Sequence, residues 1–174
     1  MRIINLFKQL LNWLLSLRRK QSLPHPEERP NYAQTIDNID LDGVFSAWYE
    51  SYGVPAEHRD YWRNHIAITI DDTLNYPACA WGLHDKRYLS VRPEWTNPGV
   101  IAHEQAHNSY DLLEYEQTIS FKYDFASLIK RELKPLFSKH PYGLTSFVEA
   151  HAEIYRYLGQ SMPQELKKFY PKLF

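Results

Sequence analysis

The pattern H-E-x-x-H occurs at residues 103–107, where His103 and His107 are separated by about one helical turn and Glu104 lies between them. Residues four apart on a helix lie on the same face, so both imidazoles could bind one metal ion with the Glu104 carboxylate beside it. The competing interpretation is a helix with two histidines on its surface. We favour the metal site, because the three residue types together match a catalytic zinc motif. In such a motif the zinc ion acidifies a bound water and the neighbouring carboxylate accepts its proton.

A catalytic zinc ion usually has three protein ligands and a water, so a third ligand must come from another part of the chain. The chain has a single cysteine, Cys79, which excludes an intramolecular disulfide and a cysteine-rich zinc cluster. The predicted ligands are therefore histidines and carboxylates, the set typical of catalytic zinc. The downstream candidates are Asp111, Glu114, Glu116, His140, Glu149, His151 and Glu153.

Glu149 and Glu153 are the strongest pair among these candidates. They lie four apart on a predicted helix, so one could bind the metal while the other accepts the N–H of a ligating imidazole. His151 lies on a different face of that helix. Asp111 follows the second histidine by one turn and is better placed to orient an imidazole than to reach the metal. Two alternatives stay open: His140 is the third ligand, or the two glutamates form a solvated helix face.

The segment YGLTSFVEAHAE, from Tyr142 to Glu153, resembles the second active-site segment of gluzincin peptidases of the anthrax lethal factor type. The clostridial proline–proline endopeptidases are similar. In that family a tyrosine lies seven residues before the zinc-binding glutamate and an acid lies four after it, as Tyr142 and Glu153 do around Glu149. The separation of 42 residues between His107 and Glu149 also matches. The resemblance implies a zincin-like catalytic domain in which His103, His107 and Glu149 bind zinc.

The same resemblance implies that Glu104 is the catalytic carboxylate, that Tyr142 is the active-site tyrosine and that Glu153 holds a ligating histidine. Hydrolysis of a peptide bond needs such groups. A carboxylate can take a proton from water and pass it to the leaving amine, and a phenol can donate to the developing oxyanion. In such peptidases an edge strand before the metal helix pairs with the backbone of a peptide or protein substrate. Residues 87–92 are the candidate for that strand.

Two positions depart from the family pattern. Ala106 stands where members usually have glycine, and His151 stands where they often have an aromatic residue, but neither change removes a functional group. Two other classes of function stay open: a zinc-binding toxin-like or interaction module of the same fold that does not cleave peptides, and a helical adaptor without zinc. Glu104 and Tyr142 favour the peptidase, because mere metal binding requires neither of them.

Residues 1–20, MRIINLFKQLLNWLLSLRRK, predict a separate amphipathic helix with five basic and no acidic side chains. The segment is too short to span a bilayer and lacks the features of a signal peptide. We therefore expect it to lie on a membrane surface, with packing against the domain or another subunit as the alternative. Membrane association is favoured, and the cytoplasmic face or a soluble cytoplasmic location are the alternatives. Residues 21–40 contain three prolines and predict a linker, with a latency segment as the alternative.

Residues 41–174 form the predicted catalytic domain. From residue 21 onward the chain has 15 basic and 21 acidic side chains, and this acidic character argues against nucleic acid as a partner. The fold class is α+β, with a small sheet before the metal helix and only helices after it. Asn97 as N-cap and Pro98 at the first position predict the start of the metal helix. The predicted helices cover 41–52, 55–64, 98–113, 118–137, 146–158 and 163–169; the strands cover 65–71 and 87–92; and 72–86 is predicted to be a loop.

Overall fold

The computed structural model describes residues 40–83 and 86–174. The predicted amphipathic helix of residues 1–20, and the predicted linker up to residue 39, lie outside these described residues. Within them the class is α+β, as predicted, and no helix is long and apolar enough to cross a membrane. The helices are α1 (Leu41–Tyr52), α2 (Ala56–His65), α3 (Pro98–Tyr110), α4 (Tyr115–Leu128), α5 (Lys134–Lys139), α6 (Phe147–Leu158) and α7 (Gln164–Lys167); the strands are β1 (Ile66–Ile70), β2 (Ala78–Leu83) and β3 (Lys86–Val91).

The three described strands form one sheet in the order β1-β3-β2, in which β3 pairs parallel with β1 and antiparallel with β2. Two predictions are wrong here. The stretch 72–86 is not a loop throughout, because β2 lies within it; its alanines and Gly82 carry little β propensity, so pairing with β3 and not local sequence defines the strand. Residues 87–92 do not form an edge strand, because β3 occupies the centre of the sheet. The edge strands are β1 and β2.

The starts of the two helices that carry the site follow local signals, as predicted, whereas α3 ends at Tyr110 and not at residue 113. The Asn97 side chain accepts a hydrogen bond from the backbone N–H of Val100 at 3.0 Å, which caps α3. The Ser146 hydroxyl accepts from the N–H of Glu149 at 3.0 Å and caps α6. Gly159, with a φ of 45°, ends α6 in the left-handed region that favours glycine. The start of each helix is therefore fixed within a few residues of its functional side chains.

The predicted single helix over 118–137 is wrong, because the chain leaves α4 after Leu128 and enters α5 at Lys134. Proline has no N–H, and its ring collides with the carbonyl four residues earlier, so it is tolerated only in the first turn of a helix. The structure places Pro135 in the first turn of α5. The break between the two helices follows from that requirement.

Helix α3 lies at the centre of the molecule and packs against α6, α1 and β2. Its residues from Val100 to Ala106 are all buried, so it lacks a polar outer face even though it carries charged side chains. Helix α6 packs along it, and the large buried side chains around this pair exclude water. These include Trp48, Trp62, Leu89, Phe121, Phe125, Ile154, Tyr155 and Leu166. Two packed helices give functional side chains a rigid base.

Candidate metal centre

Two imidazoles and one carboxylate converge between α3 and α6. The Nε2 atoms of His103 and His107 lie 3.1 Å apart. Oε2 of Glu149 lies 3.3 Å from the His103 Nε2 and 3.7 Å from the His107 Nε2. In a tetrahedral zinc site with bonds of about 2.0–2.1 Å, ligand atoms are about 3.3 Å apart. The three atoms are therefore spaced like three corners of such a tetrahedron, and among the described residues they form a group that could hold a metal ion.

The two helices bring these side chains together by running antiparallel. His103 and His107 share one face of α3 because they are four residues apart. His107 approaches Glu149 in the first turn of α6, and His103 reaches both Glu149 and Glu153, which is one turn further along α6. Each ligand therefore projects from a regular helix, and the spacing of residues along both helices determines where the three ligand side chains meet.

The donor set fits a divalent cation. Oε2 of Glu149 is buried and makes no well-directed hydrogen bond to any described residue, although it faces two imidazole nitrogens. A buried carboxylate oxygen is costly unless a hydrogen bond or a positive charge compensates it. Two imidazole nitrogens and one carboxylate oxygen are also a common ligand set for zinc in proteins. By geometry and by chemistry, His103, His107 and Glu149 could therefore hold a cation.

The two imidazoles have opposite electrostatic environments. Burial alone would lower the pKa of His103, but its contacts with Glu149 and Glu153 outweigh burial and raise that pKa to about 9. Burial and, to a lesser extent, the positive charge on His103 lower the pKa of His107 to about 4. One imidazolium therefore faces one neutral imidazole at neutral pH. A cation that binds here must displace the proton of His103.

Glu153 contacts the ring of His103 on the side away from Glu149. Its Oε1 atom lies 2.8 Å from Nδ1 of His103 and 3.4 Å from Nη1 of Arg156. A ligating histidine usually presents its second nitrogen to such a carboxylate, which fixes the ring orientation. The structure thus places Glu153 where the sequence analysis expects it. The sequence analysis did not identify Arg156 as a partner of Glu153, although the i,i+3 spacing of the two residues is typical of an ion pair on a helix.

Glu104 lies beside this group and is only 6% exposed. Burial raises the pKa of Glu104 to about 7, while the charge of His103 and a hydrogen bond from the backbone N–H of Ala80 oppose that rise. Ala80 belongs to β2, so this contact could not be predicted while β2 itself was missed. A carboxyl group with a pKa near 7 can both accept and release a proton at neutral pH.

Tyr142 lies on a 3₁₀ turn, Pro141–Leu144, that packs against α6. Its side chain is 43% exposed, and its hydroxyl lies close enough to the Glu149 carboxylate for each group to shift the pKa of the other. Burial, followed by the nearby carboxylates, raises the pKa of Tyr142 to about 12, so the phenol stays protonated and able to donate. The next residue must be glycine, because a Cβ on Gly143 would lie 2.5 Å from the ring of Phe137. Gly143 thus lets Tyr142 approach the site closely.

Three acidic candidates lie away from the group. Asp111 ends α3, and no imidazole of the described residues donates a hydrogen bond to its carboxylate: Nδ1 of His107 has no hydrogen-bond partner among them. Burial raises the pKa of Asp111, while the charge of Arg87 opposes the rise. Asp111 therefore does not orient the ring of His107 in the structure. Glu114 and Glu116 lie exposed at the start of α4.

The two remaining histidine candidates have other partners. Nε2 of His151 lies 2.7 Å from the carbonyl oxygen of Phe169, and its fully buried ring stacks on Tyr170. The ring of His140 stacks on that of Tyr157, with centroids 3.7 Å apart. Neither histidine belongs to the metal-binding group. Of the alternatives left open for the third ligand, the geometry selects Glu149.

The comparisons with known proteins give no relative. No protein-family profile matches the chain, and neither a curated protein nor a solved structure matches it.

Proposed function

We propose that this protein is a zinc-dependent peptidase of the gluzincin type with a zincin-like catalytic domain. The observation that carries the proposal is the near-tetrahedral spacing of the ligand atoms of His103, His107 and Glu149. A buried carboxylate, Glu104, and a phenol donor, Tyr142, lie beside them. Metal storage or structural metal binding needs neither of these two additional groups. Both are required for general-base catalysis and for stabilisation of an oxyanion.

When bound at these ligands, zinc acidifies water and polarises a carbonyl group. The chain's own residues then have distinct roles. Glu104 accepts a proton from the attacking water and delivers it to the leaving amine, which a pKa near 7 allows in both directions. Tyr142 donates its O–H to the oxygen that develops negative charge, a contribution of about 3 kcal/mol for donors of this kind. Glu153 holds the ring of His103 in the orientation that binding requires.

The proposed substrate is an extended peptide that pairs with strand β2. This strand lies at an edge of the sheet. The Arg92 N–H donates to the Pro77 carbonyl at 2.9 Å, and hydrogen-bonded pairs alternate along the β2–β3 ladder, so the Ala80 N–H is directed away from β3. On that side it influences the pKa of Glu104. Residues in an antiparallel strand direct their N–H and C=O to the same side, so the Ala80 carbonyl also faces the site. Backbone pairing at such an edge supplies affinity without selecting sequence. This assignment moves the substrate strand from β3, where the sequence suggested it, to β2.

The decisive experiment compares the zinc-loaded full-length protein with Glu104→Gln on an unbiased peptide library analysed by mass spectrometry. We expect the wild type to bind about one zinc ion and to cleave peptides. The Gln variant should keep the metal and lose cleavage by a factor of about 10² to 10⁴. The matched control is Glu116→Gln, an exposed glutamate at the start of α4. Equal cleavage by Glu104→Gln and wild type would refute the mechanism.

Metal analysis of the wild type separates the two alternative functions. A protein that binds zinc but cleaves no peptide in the library is a zinc-binding module without protease activity. A protein that binds no zinc is an adaptor of another kind.

A further inference from the structure

Helix α6 presents three charged side chains in a row to α3. Glu149, Glu153 and Arg156 are spaced i, i+4 and i+7, so they lie on one face of the helix. The first belongs to the metal-binding group, and the second contacts the ligating ring of His103. Arg156 is the third, and its Nη1 atom lies 3.4 Å from the same Glu153 oxygen that contacts His103. A continuous polar chain therefore runs from the metal-binding group to Arg156.

We propose that Arg156 is a positioning residue for the metal site, acting through Glu153. The proposal depends on the metal site described above. The Glu153 side chain is only 3% exposed, and a buried carboxylate is costly unless charge and hydrogen bonds compensate it. Arginine is always protonated, so Arg156 supplies a permanent positive charge to the same Glu153 oxygen that contacts His103. The contact with Arg156 holds the Glu153 carboxylate in place beside Nδ1 of His103, 2.8 Å from that nitrogen.

Arg156 is itself held in place by contacts on three sides. Its carbonyl oxygen accepts a hydrogen bond from the Tyr52 hydroxyl at 2.7 Å. Its guanidinium carbon lies 5.1 Å from the centre of the Tyr157 ring, within the range of a cation–π contact. A Cβ on Gly99 would lie 3.9 Å from its Nε atom, so the start of α3 approaches the side chain closely. The first contact holds the backbone of α6 at Arg156, and the other two locate its side chain between Tyr157 and the start of α3.

A partly exposed ion pair at i,i+3 spacing contributes little to stability on an ordinary helix surface. The Arg156 side chain is 32% exposed, so an effect on stability alone would not distinguish a positioning role. What differs here is the buried partner, which Arg156 shares with a metal ligand. Loss of Arg156 should therefore weaken metal binding more than it weakens the fold.

The test compares zinc dissociation constants, measured by competition with a chelator, for full-length wild type, Arg156→Gln and Arg156→Lys. Outer partners of metal ligands typically change affinity by 10- to 100-fold, so we expect Arg156→Gln to bind zinc about tenfold more weakly. Arg156→Lys keeps the positive charge and should recover most of the affinity. Arg131→Gln is the matched control, because Arg131 is 69% exposed and its ion-pair partner among the described residues is Glu132, at 3.8 Å.

A second readout reports on the imidazole directly. The Nδ1–H resonance of His103 in the zinc-loaded protein should move upfield in Arg156→Gln, since a weaker acceptor leaves the proton less deshielded. If Arg156→Gln fails to fold, Arg156→Met keeps the packed stem and removes only the charge. Wild-type zinc affinity and an unchanged Nδ1–H resonance in these variants would overturn the proposal. Failure of the wild type itself to bind zinc would instead refute the proposed metal site.

Discussion

Nε2 of His103 lies 3.1 Å from Nε2 of His107, and both atoms face Oε2 of Glu149. Two imidazole nitrogens are stable at this distance when a proton or a metal cation lies between them. The raised pKa of His103 and the lowered pKa of His107 correspond to the protonated form. A metal ion and a proton therefore compete for the same place in the structure.

This competition predicts a pH-dependent affinity for zinc. The pKa of His103 is raised to about 9, so below that pH one proton must leave before the ring can bind a metal ion. As the pH is lowered from 8 to 6, the zinc dissociation constant should rise about tenfold for each pH unit. Calorimetry in buffers of different ionisation enthalpy should show release of about one proton per zinc ion bound. An affinity that stays constant over this range would contradict the assignment of His103.

The metal helix is the part of the fold that the sequence predicts best, because its signals are local. Asn97 and Pro98 determine its start, and the four-residue spacing of the histidines determines the shared face. Glu149 and Glu153 are also identified by spacing on a helix that starts at Ser146. Side chains that come from regular helices can be placed from sequence, because helical geometry fixes their direction.

The parts that sequence analysis missed depend on contacts between distant segments. Strand β2 exists because it pairs with β3, and Ala80 donates to Glu104 only because that strand packs on α3. Arg156 reaches Glu153 on its own helix, but its importance becomes visible only once Glu153 is seen against His103. Strand pairing and the order of strands in a sheet are set by tertiary packing, and no local pattern reports them.

Strand β2 gives a prediction at Ala80. Ala80→Pro removes the N–H that donates to Glu104, yet it removes no hydrogen bond to β3, and edge strands tolerate proline where the N–H faces outward. The pKa of Glu104, already raised to about 7, should rise further, so peptidase activity should fall at pH 7 and recover at higher pH. The pH profile of kcat/KM measures this shift.

The control for this variant is Cys79→Pro. The N–H of Cys79 faces β3, so its loss should destabilise the sheet and lower the Tm. An unchanged pH profile in a folded Ala80→Pro protein would show that the backbone contact has no part in tuning Glu104.

Tyr142→Phe should lower kcat by a factor of about 10² to 10³, as loss of an oxyanion donor does in other hydrolases. The hydroxyl also interacts electrostatically with the Glu149 carboxylate, so a small loss of zinc affinity should accompany the change in rate. Steady-state kinetics at saturating zinc separate the two effects. Tyr123→Phe removes a hydroxyl from an exposed tyrosine of α4 and serves as the control. A Tyr142→Phe protein with wild-type kcat would exclude the phenol from catalysis.

Buried His151 makes the fold sensitive to acid. Burial lowers the pKa of His151 to about 3, whereas an unfolded chain binds that proton near pH 6.5. Below pH 6.5 the unfolded state therefore binds more protons than the folded state. The contribution of His151 to stability is complete above pH 6.5 and falls by about 1.4 kcal/mol per pH unit as the pH drops toward 3.

His151→Gln removes this titration and keeps an N–H donor for the carbonyl oxygen of Phe169. We expect the variant to be less stable at pH 7, because glutamine fills the space beside Tyr170 less well than the stacked ring does. Its free energy of unfolding should nevertheless fall less steeply between pH 6.5 and pH 4.5 than that of the wild type. Denaturant titrations at several pH values measure how the free energy of unfolding of each protein changes with pH. A chelator keeps both proteins free of metal, so that their metal ligands titrate in the same way. Parallel slopes would mean that His151 binds a proton in the folded state as readily as in the unfolded chain.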